Sequence, residues 1–321
     1  MNKRPLVSIL IPAYNAERYI REAMASAVAQ AYKNVEIVVV DDGSTDKTGE
    51  IVRSFKDSRI RYIYQENKGI IGVRNRLLKE AKGDFLTFLD ADDIYLPDKV
   101  AEEVNFLLKH RDYDAVYCDL RYFFDERPDR LYKHRYTFYS GDIFEKLLEK
   151  MFITNTTFMM RKSVVKRIGF YEEILGTVED WYYFLRMARA KMKFGFIEKP
   201  LVRFRLRWDN NTRFENQPKI QLSSLKIFED LKTKMSMEEQ KRYKIDKILF
   251  RRKLKLGLAY LGCGMKREAC EVLRVASAGW LWKIFLAIFV FIITILPSSL
   301  FKFVIEKSWN LKKRKLFIPI R

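Results

Sequence analysis

The chain has 321 residues, 48% of them hydrophobic, which is material for one large or two ordinary domains and excludes a disordered chain. A formal charge of +20 implies an anionic partner: nucleic acid, an acidic membrane surface or a phosphorylated substrate. Cys118, Cys263 and Cys270 lack metal-ligand spacing, so no disulfide framework or zinc site is expected and a reducing cytosol fits.

With only His110 and His134 available, a general base is expected to be a carboxylate. The amino terminus leads into a strand-like run too short for the apolar core of a signal peptide, which places the bulk of the protein inside the cell. That run, Leu6 to Ile11, is stopped by Pro12, and Ala16 to Ala29 has helical character. Asn34 to Val40 repeats the strand signal and ends in Asp41-Asp42-Gly43-Ser44-Thr45-Asp46. A helix follows over about Lys47 to Phe55, with Asp46 suited to cap it. Ile60 to Tyr64 reads as a third strand and Ile70 to Ala81 as a third helix, with Gly83 as a turn residue.

Phe85 to Asp93 is the most informative stretch. An apolar strand runs straight into Asp90, Asp92 and Asp93, and such a cluster repels itself. A divalent cation would relieve the repulsion, and oxygen-only ligation suits Mg²⁺ or Mn²⁺. The plainer alternative is an acidic loop with Asp93 near a helix start. Strands alternating with helices at this spacing predict a parallel sheet covered on both faces, with ligands beyond the carboxyl ends of the strands. Tyr14, the Asp41-Asp42 pair and Asp90-Ala91-Asp92 all lie at those ends.

Further on, Pro97 to Lys109 reads as a helix, Ala115 to Leu120 as a strand, and Arg121 to Ser140 as a charged aromatic loop able to reach over the site. Thr154 to Met160 is another strand, and Val178 to Ala188 a helix opening with Glu179 and Asp180. Helix capping alone would explain those two carboxylates. Lys193 to Arg207 reads as two strands broken at Lys199-Pro200. After a polar linker, Ile220 to Ala276 is helical, with a hairpin at Leu256–Leu261 and Glu268–Leu273. In the tail, Trp280 and Trp282 precede an apolar run, Ile284 to Leu296, and Lys312-Lys313-Arg314-Lys315 follow it. A span needs about 20 apolar residues, so an interfacial or shallowly inserted helix is expected, held by anionic headgroups.

Taken together, Val7 to Asn15, Val38 to Asp46, Gly72-Val73-Arg74-Asn75 and Phe88 to Asp93 resemble, in order and spacing, the family 2 glycosyltransferases of the GT-A fold. The resemblance implies an α/β, mostly parallel GT-A domain over 1–210; the residues beyond it read as a helical extension over 211–276 and a membrane-associating tail over 277–321. It implies an inverting, metal-dependent transfer from a nucleotide sugar, UDP-linked by expectation, to a lipid-linked or cell-envelope glycan acceptor. By that likeness Pro12 and Tyr14 line the donor, and Tyr14 stacks on its base. Asp41 or Asp42 accepts from a ring nitrogen, Arg74 lies near the nucleotide, Asp90 holds the ribose and Asp92 holds Mn²⁺ or Mg²⁺. The Glu179-Asp180 pair matches the family's acidic pair, with Asp180 as base and Glu179 as its rival beside the donor.

Phe204-Arg205-Leu206-Arg207 resembles the family's aromatic-Arg-x-His segment, but Arg207 replaces the histidine with a permanent cation suited to a diphosphate. The Gln of the processive signature is replaced by Phe204, which favours a non-processive enzyme. The expected place of action is the cytoplasmic face of the cell membrane. A sugar nucleotidyltransferase would want a Gly-rich loop where this chain has Pro12-Ala13-Tyr14-Asn15. A nucleic-acid-binding protein would leave the apolar tail without a role, and no nucleic-acid module is recognised.

Overall fold

The computed structural model describes residues 4–134, 137–173, 178–207 and 214–274, together with 305, 307 and 317–319. The apolar run ahead of Pro12 forms β1 (Val7–Ala13), all of it buried. A strand hidden on both faces pairs along both edges, and β1 lies parallel between β2 (Val35–Asp41) and β4 (Phe85–Phe88). β3 (Ile60–Tyr64) extends the parallel set from β2. The crossovers are α1 (Ile20–Val28), α2 (Thr48–Ser54) and α3 (Gly69–Glu80), so the carboxyl ends of all four strands share one sheet edge.

Past β4 the sheet becomes mixed. β5 (Ile94–Tyr95), α4 (Lys99–Lys109), β6 (Ala115–Phe124) and β7 (Arg127–His134) come first. α5 (Phe144–Glu149), β8 (Phe158–Arg161), α6 (Lys162–Ile168), α7 (Glu179–Arg189) and β9 (Phe194–Leu206) follow. β8 lies antiparallel between β4 and β6, while β9 runs parallel to β6 and takes β5 on its far side. With β10 (Phe317–Pro319) the order is β10-β7-β6-β8-β4-β1-β2-β3.

Three local expectations are corrected. Most of the stretch expected as a loop over 121–140 is strand: β6 runs on to Phe124 and turns into β7, with Tyr122 opposite Tyr132 and Phe123 opposite Leu131. Tyr122 and Phe123, on opposite faces of β6, are both buried, so the strand is covered on both sides and shows no simple alternation. β9 is one strand, because Pro200 falls where the β6–β9 register slips around Asp119, and a bulge removes the need for its missing N–H. Asn155–Thr157 is a 3-10 turn, and the strand begins only at Phe158.

The described residues fall into two compact units, one with 4–134, 137–173, 180–207 and 318–319, the other with 178–179, 214–274, 305, 307 and 317. In the second, α8 (Gln217–Thr233), α9 (Met237–Arg242), α10 (Ile245–Gly262) and α11 (Lys266–Arg274) are all helical. Leu261, Ala269, Cys270 and Leu273 close the core between α10 and α11. Gly257 permits the approach, since a Cβ there would lie 2.7 Å from the Leu273 side chain. Nearly all of 277–321 lies outside the described residues, and among those described no helix is long and apolar enough to cross a membrane.

The core beneath β4 holds an ion pair. Lys99 and Glu103, one turn apart on α4, are both fully buried and meet at 2.8 Å. Lys99 Nζ also donates to Thr87 Oγ1 at 2.5 Å and Tyr95 OH at 3.2 Å, and Tyr95 donates to the Phe88 carbonyl at 2.5 Å, bracing the strand end before Asp90. Burial pushes the Glu103 carboxyl up to about 7 against the pull of Lys99. Removing one partner strands the other charge, so Lys99→Met is expected to lose about 3–5 kcal/mol in urea denaturation. The orphaned carboxyl would be neutral in the fold at low pH, making the loss larger at pH 8 than at pH 5. Adding Glu103→Leu should recover most of it, and a double variant no more stable than Lys99→Met contradicts the account.

Candidate active site

The ends of β1 and β2 are laced together into one wall. Tyr14, immediately after β1, is 55% exposed, an uncommon position for a large aromatic ring beside a sheet edge. The next residue, Asn15, takes a φ of 45°. It is held there by its N–H to Ser44 Oγ at 3.0 Å and by its side-chain oxygen, which accepts from Thr45 N at 2.9 Å. Asp46 closes the wall, accepting from Thr48 N and Oγ1 at 2.9 and 2.5 Å and from Glu17 N at 3.0 Å. Burial opposes its charge, but these donors overcome that and keep its carboxyl below the ordinary range.

The two aspartates ending β2 differ. Both are buried, but Asp41 has both oxygens engaged, one accepting from Ser44 N at 2.9 Å and the other from the Tyr62 hydroxyl at 2.7 Å. Asp42 accepts through Oδ1 alone, from Gln65 Nε2 at 2.7 Å and Lys68 N at 2.9 Å. Its other oxygen takes no hydrogen bond among the described residues. Asp42 therefore has the better claim to an outside donor, and Asp41 shapes the turn at Gly43, whose φ is 79°.

Beyond β4 the three carboxylates point to three environments. Asp93 is buried, accepts from Arg205 N at 2.9 Å and Thr156 Oγ1 at 2.8 Å, and ties the strand end to β9. Burial, and next the charges of Asp92 and Asp90, push its carboxyl well above the ordinary range. Asp90 is partly open and is approached by Arg74 at 3.5 Å and Thr156 at 3.3 Å. Arg74, itself buried on α3, donates at 2.7 and 3.2 Å to the Asn155 amide oxygen, in the side-chain orientation that also gives the amide nitrogen to Tyr171. Asp92 faces Arg207, with Oδ2 and Nη2 3.1 Å apart.

Arg205 fastens this arrangement. Its Nε donates to the Asp92 carbonyl at 2.9 Å, Nη1 to Asp125 at 2.8 Å and Nη2 to Glu22, and its plane lies 4.9 Å from the Tyr19 ring centre and 4.5 Å from that of Phe123. Sequence reasoning noticed the segment but assigned Arg205 no role. The alternation of a strand, which sends residues 205 and 207 the same way, is the signal that would have found it. Thr156 and Asn155 gave no sequence signal, because a 3-10 turn far along the chain brings them in.

Asp180 is the second residue of α7, half-buried, with Oδ1 accepting from Trp181 N at 2.7 Å, and Glu179 opens the helix. α7 is tied to the acidic end of β4 through aromatic contacts. Tyr183 stacks on Tyr171 at 4.3 Å, and Tyr171 lies edge-on to Phe88 and beneath the Arg74 guanidinium. Pro12 is buried within β1, one residue from the point where the chain turns toward Tyr14. The structure thus joins Arg74, Asp90, Asp92 and Arg207 in one contact network and Tyr14, Asp41 and Asp42 in the adjacent wall. Asp180 lies on α7, which joins the network through the stacked Tyr183 and Tyr171 rings.

For a divalent metal, no group of three or more His, Cys, Asp or Glu side chains among the described residues could hold it. The donor chemistry nevertheless fits an ion carried mainly by diphosphate oxygens, which needs only one protein carboxylate such as the partly open Asp92.

Several known proteins are similar to this chain. An uncharacterised glycosyltransferase of Rickettsia typhi is 40% identical over 192 residues, 57% of this chain and 60% of the relative, so the match spans well under two thirds of that protein. The glycosyltransferase GlyA of Streptococcus pneumoniae is 31% identical over 214 residues, 63% of this chain and 30% of its own. Among solved structures, S. aureus TarS 1-349 aligns over 84% of this chain and 80% of its own, at 17% identity and a TM-score of 0.58. The mannosyltransferase PcManGT of Pyrobaculum calidifontis, in complex with GDP-Man and Mn²⁺, aligns over 95% and 85%, at 19% identity and 0.59. These likenesses carry the fold, a GT-A-like α/β architecture. Residues 8–169 match the model of glycosyl transferase family 2, and the chain belongs to that family.

Proposed function

We propose that the protein transfers a sugar, with inversion, from a nucleotide-diphosphate sugar to a hydroxyl of a lipid-linked or cell-envelope glycan. The observation that carries this reading is the convergence, at one sheet edge, of an exposed ring at Tyr14, a carboxylate oxygen of the buried Asp42 that takes no hydrogen bond among the described residues, and the arginine-braced Asp90 and Asp92. A base, a ribose and a diphosphate laid along that edge meet, in turn, a stacking surface, acceptors for ring and hydroxyl protons, and charge. Tyr14 stacks on the base, Asp42 accepts its ring N–H, Asp90 accepts from the ribose and Arg207 takes the diphosphate. When bound, Mn²⁺ or Mg²⁺ supplies Lewis-acid stabilisation of the departing diphosphate, with Asp92 as the protein ligand. A UDP-linked donor is the first choice, since TarS has been crystallised in complex with UDP-GlcNAc. Screening the purified chain against UDP- and GDP-linked sugars for nucleotide release tests the reading, and no release from any donor with any saccharide acceptor sinks it.

Inversion in a single displacement requires a carboxylate opposite the leaving diphosphate and within reach of the acceptor hydroxyl. Asp180 fills that role, standing on a helix apart from the Asp90–Asp92 strand end. Asp180→Asn preserves shape and capping but not basicity, so turnover should fall about a hundredfold or more while donor affinity, read by calorimetry, stays within about twofold. Glu179→Gln should do less. Near-normal turnover of the Asp180→Asn protein, or a retained anomeric configuration, removes this assignment.

The tail is proposed to hold the enzyme at the cytoplasmic face of an anionic membrane, where its acceptor resides. In the full chain, changing Lys312, Lys313, Arg314 and Lys315 together to Gln should reduce cosedimentation with phosphatidylglycerol vesicles by about tenfold or more. Equal binding by both proteins contradicts the assignment.

A further inference from the structure

Arg207 stands where two cations would compete. Its Nη2 lies 3.1 Å from Asp92 Oδ2, and both side chains remain open to solvent, 29% and 24% exposed, unlike the buried Arg205 two residues earlier. The position of Asp92 does not depend on Arg207, because Arg205 Nε already holds its carbonyl at 2.9 Å. Arg207 also rests 5.0 Å from the centre of the Tyr19 ring, whose hydroxyl is fixed to Asp125 at 3.1 Å. The guanidinium thus rests against the Tyr19 side chain and an Asp92 carboxylate oxygen, and part of it faces solvent.

A divalent ion and a guanidinium repel each other, so the one on Asp92 keeps the other from it in the absence of further negative charge. A diphosphate changes that balance, since its oxygens accept a planar guanidinium through paired hydrogen bonds and are more highly charged than one carboxylate. We propose that Arg207 is an exchangeable counter-ion. In the nucleotide-free protein it neutralises Asp92 and excludes divalent metal. When the donor enters it passes to the diphosphate, freeing the carboxylate, so metal and nucleotide bind as a coupled pair. The inference rests on the donor reading above and adds to it the order in which the ligands can be held. Reciprocity follows: nucleotide raises metal affinity by the factor by which metal raises nucleotide affinity.

The experiment compares the full chain with Arg207→Gln and Arg207→Lys, each first shown to unfold at the wild-type urea midpoint. Mn²⁺ binding is followed by the electron paramagnetic resonance of the free ion, without nucleotide and with UDP. Without UDP, Arg207→Gln should bind Mn²⁺ about tenfold or more tighter than wild type, and Arg207→Lys should stay near wild type. In EDTA, UDP should bind Arg207→Gln about tenfold or more weaker than wild type by calorimetry. Equal Mn²⁺ affinity of wild type and Arg207→Gln without UDP, including undetectable binding to both, overturns the proposal. If no protein in the series binds UDP, the donor reading fails, and the nucleotide-free Mn²⁺ comparison still decides the role of Arg207.

Discussion

Three carboxylates within four residues at the end of a buried strand would push one another and the chain apart unless donors reached each of them. Two buried arginines answer this constraint from opposite sides. Arg74 comes from α3 to Asp90, and Arg205 comes from β9 to the backbone of Asp92, while its own N–H reaches the Asp93 carboxylate. Burying a guanidinium is itself costly, so each arginine has further acceptors or ring faces around it: Asn155 and Tyr171 for Arg74, Asp125, Glu22, Tyr19 and Phe123 for Arg205. The acids are thereby sorted. Asp93 serves the fold, and Asp90 and Asp92 are left partly open.

This sorting explains why the mixed half of the sheet is attached to the parallel half. Four parallel strands suffice to line up Tyr14, Asp42 and Asp90 at one edge, but they offer nothing to brace the acids beyond β4. β9, running the length of β6 and pairing back to β5, delivers Arg205 and Arg207 to that edge, and the turn before β8 delivers Asn155 and Thr156. α7 joins the same frame through the stacked Tyr171 and Tyr183 rings. The site is thus assembled by backbone pairing across long stretches of chain, with side-chain bonds fixing its final geometry.

Beneath it, the Lys99–Glu103 pair holds the end of β4 from the other face of the sheet. A charged pair in a position that apolar residues could fill is costly to assemble, but its hydrogen bonds to Thr87 and Tyr95 pin the strand end in a way that methyl groups would not. The position of Asp90 therefore depends on contacts made on both faces of the strand that precedes it.

By itself the sequence determined the local elements and the family. Apolar runs such as Leu6 to Ile11 and Phe85 to Phe88 form strands because nothing in them prefers water, and the alternation with helices fixes a parallel set whose carboxyl ends carry Tyr14, Asp42, Asp90 and Asp92. Those features rest on near neighbours, where periodicity is informative. Which carboxylate is buried and which stays open was decided only by the tertiary structure, because Asp90, Asp92 and Asp93 are chemically alike and differ only in partners brought from residues 74, 156, 205 and 207. The same holds for the β6–β7 hairpin, read locally as a loop because charged residues interrupt its apolar run, and for Pro200, whose missing donor matters only relative to the register of β6. The ion pair of Arg207 with Asp92 is of this kind too: a change of residue type was visible in the chain, but its partner was chosen by the distance between two loops that the fold brings together.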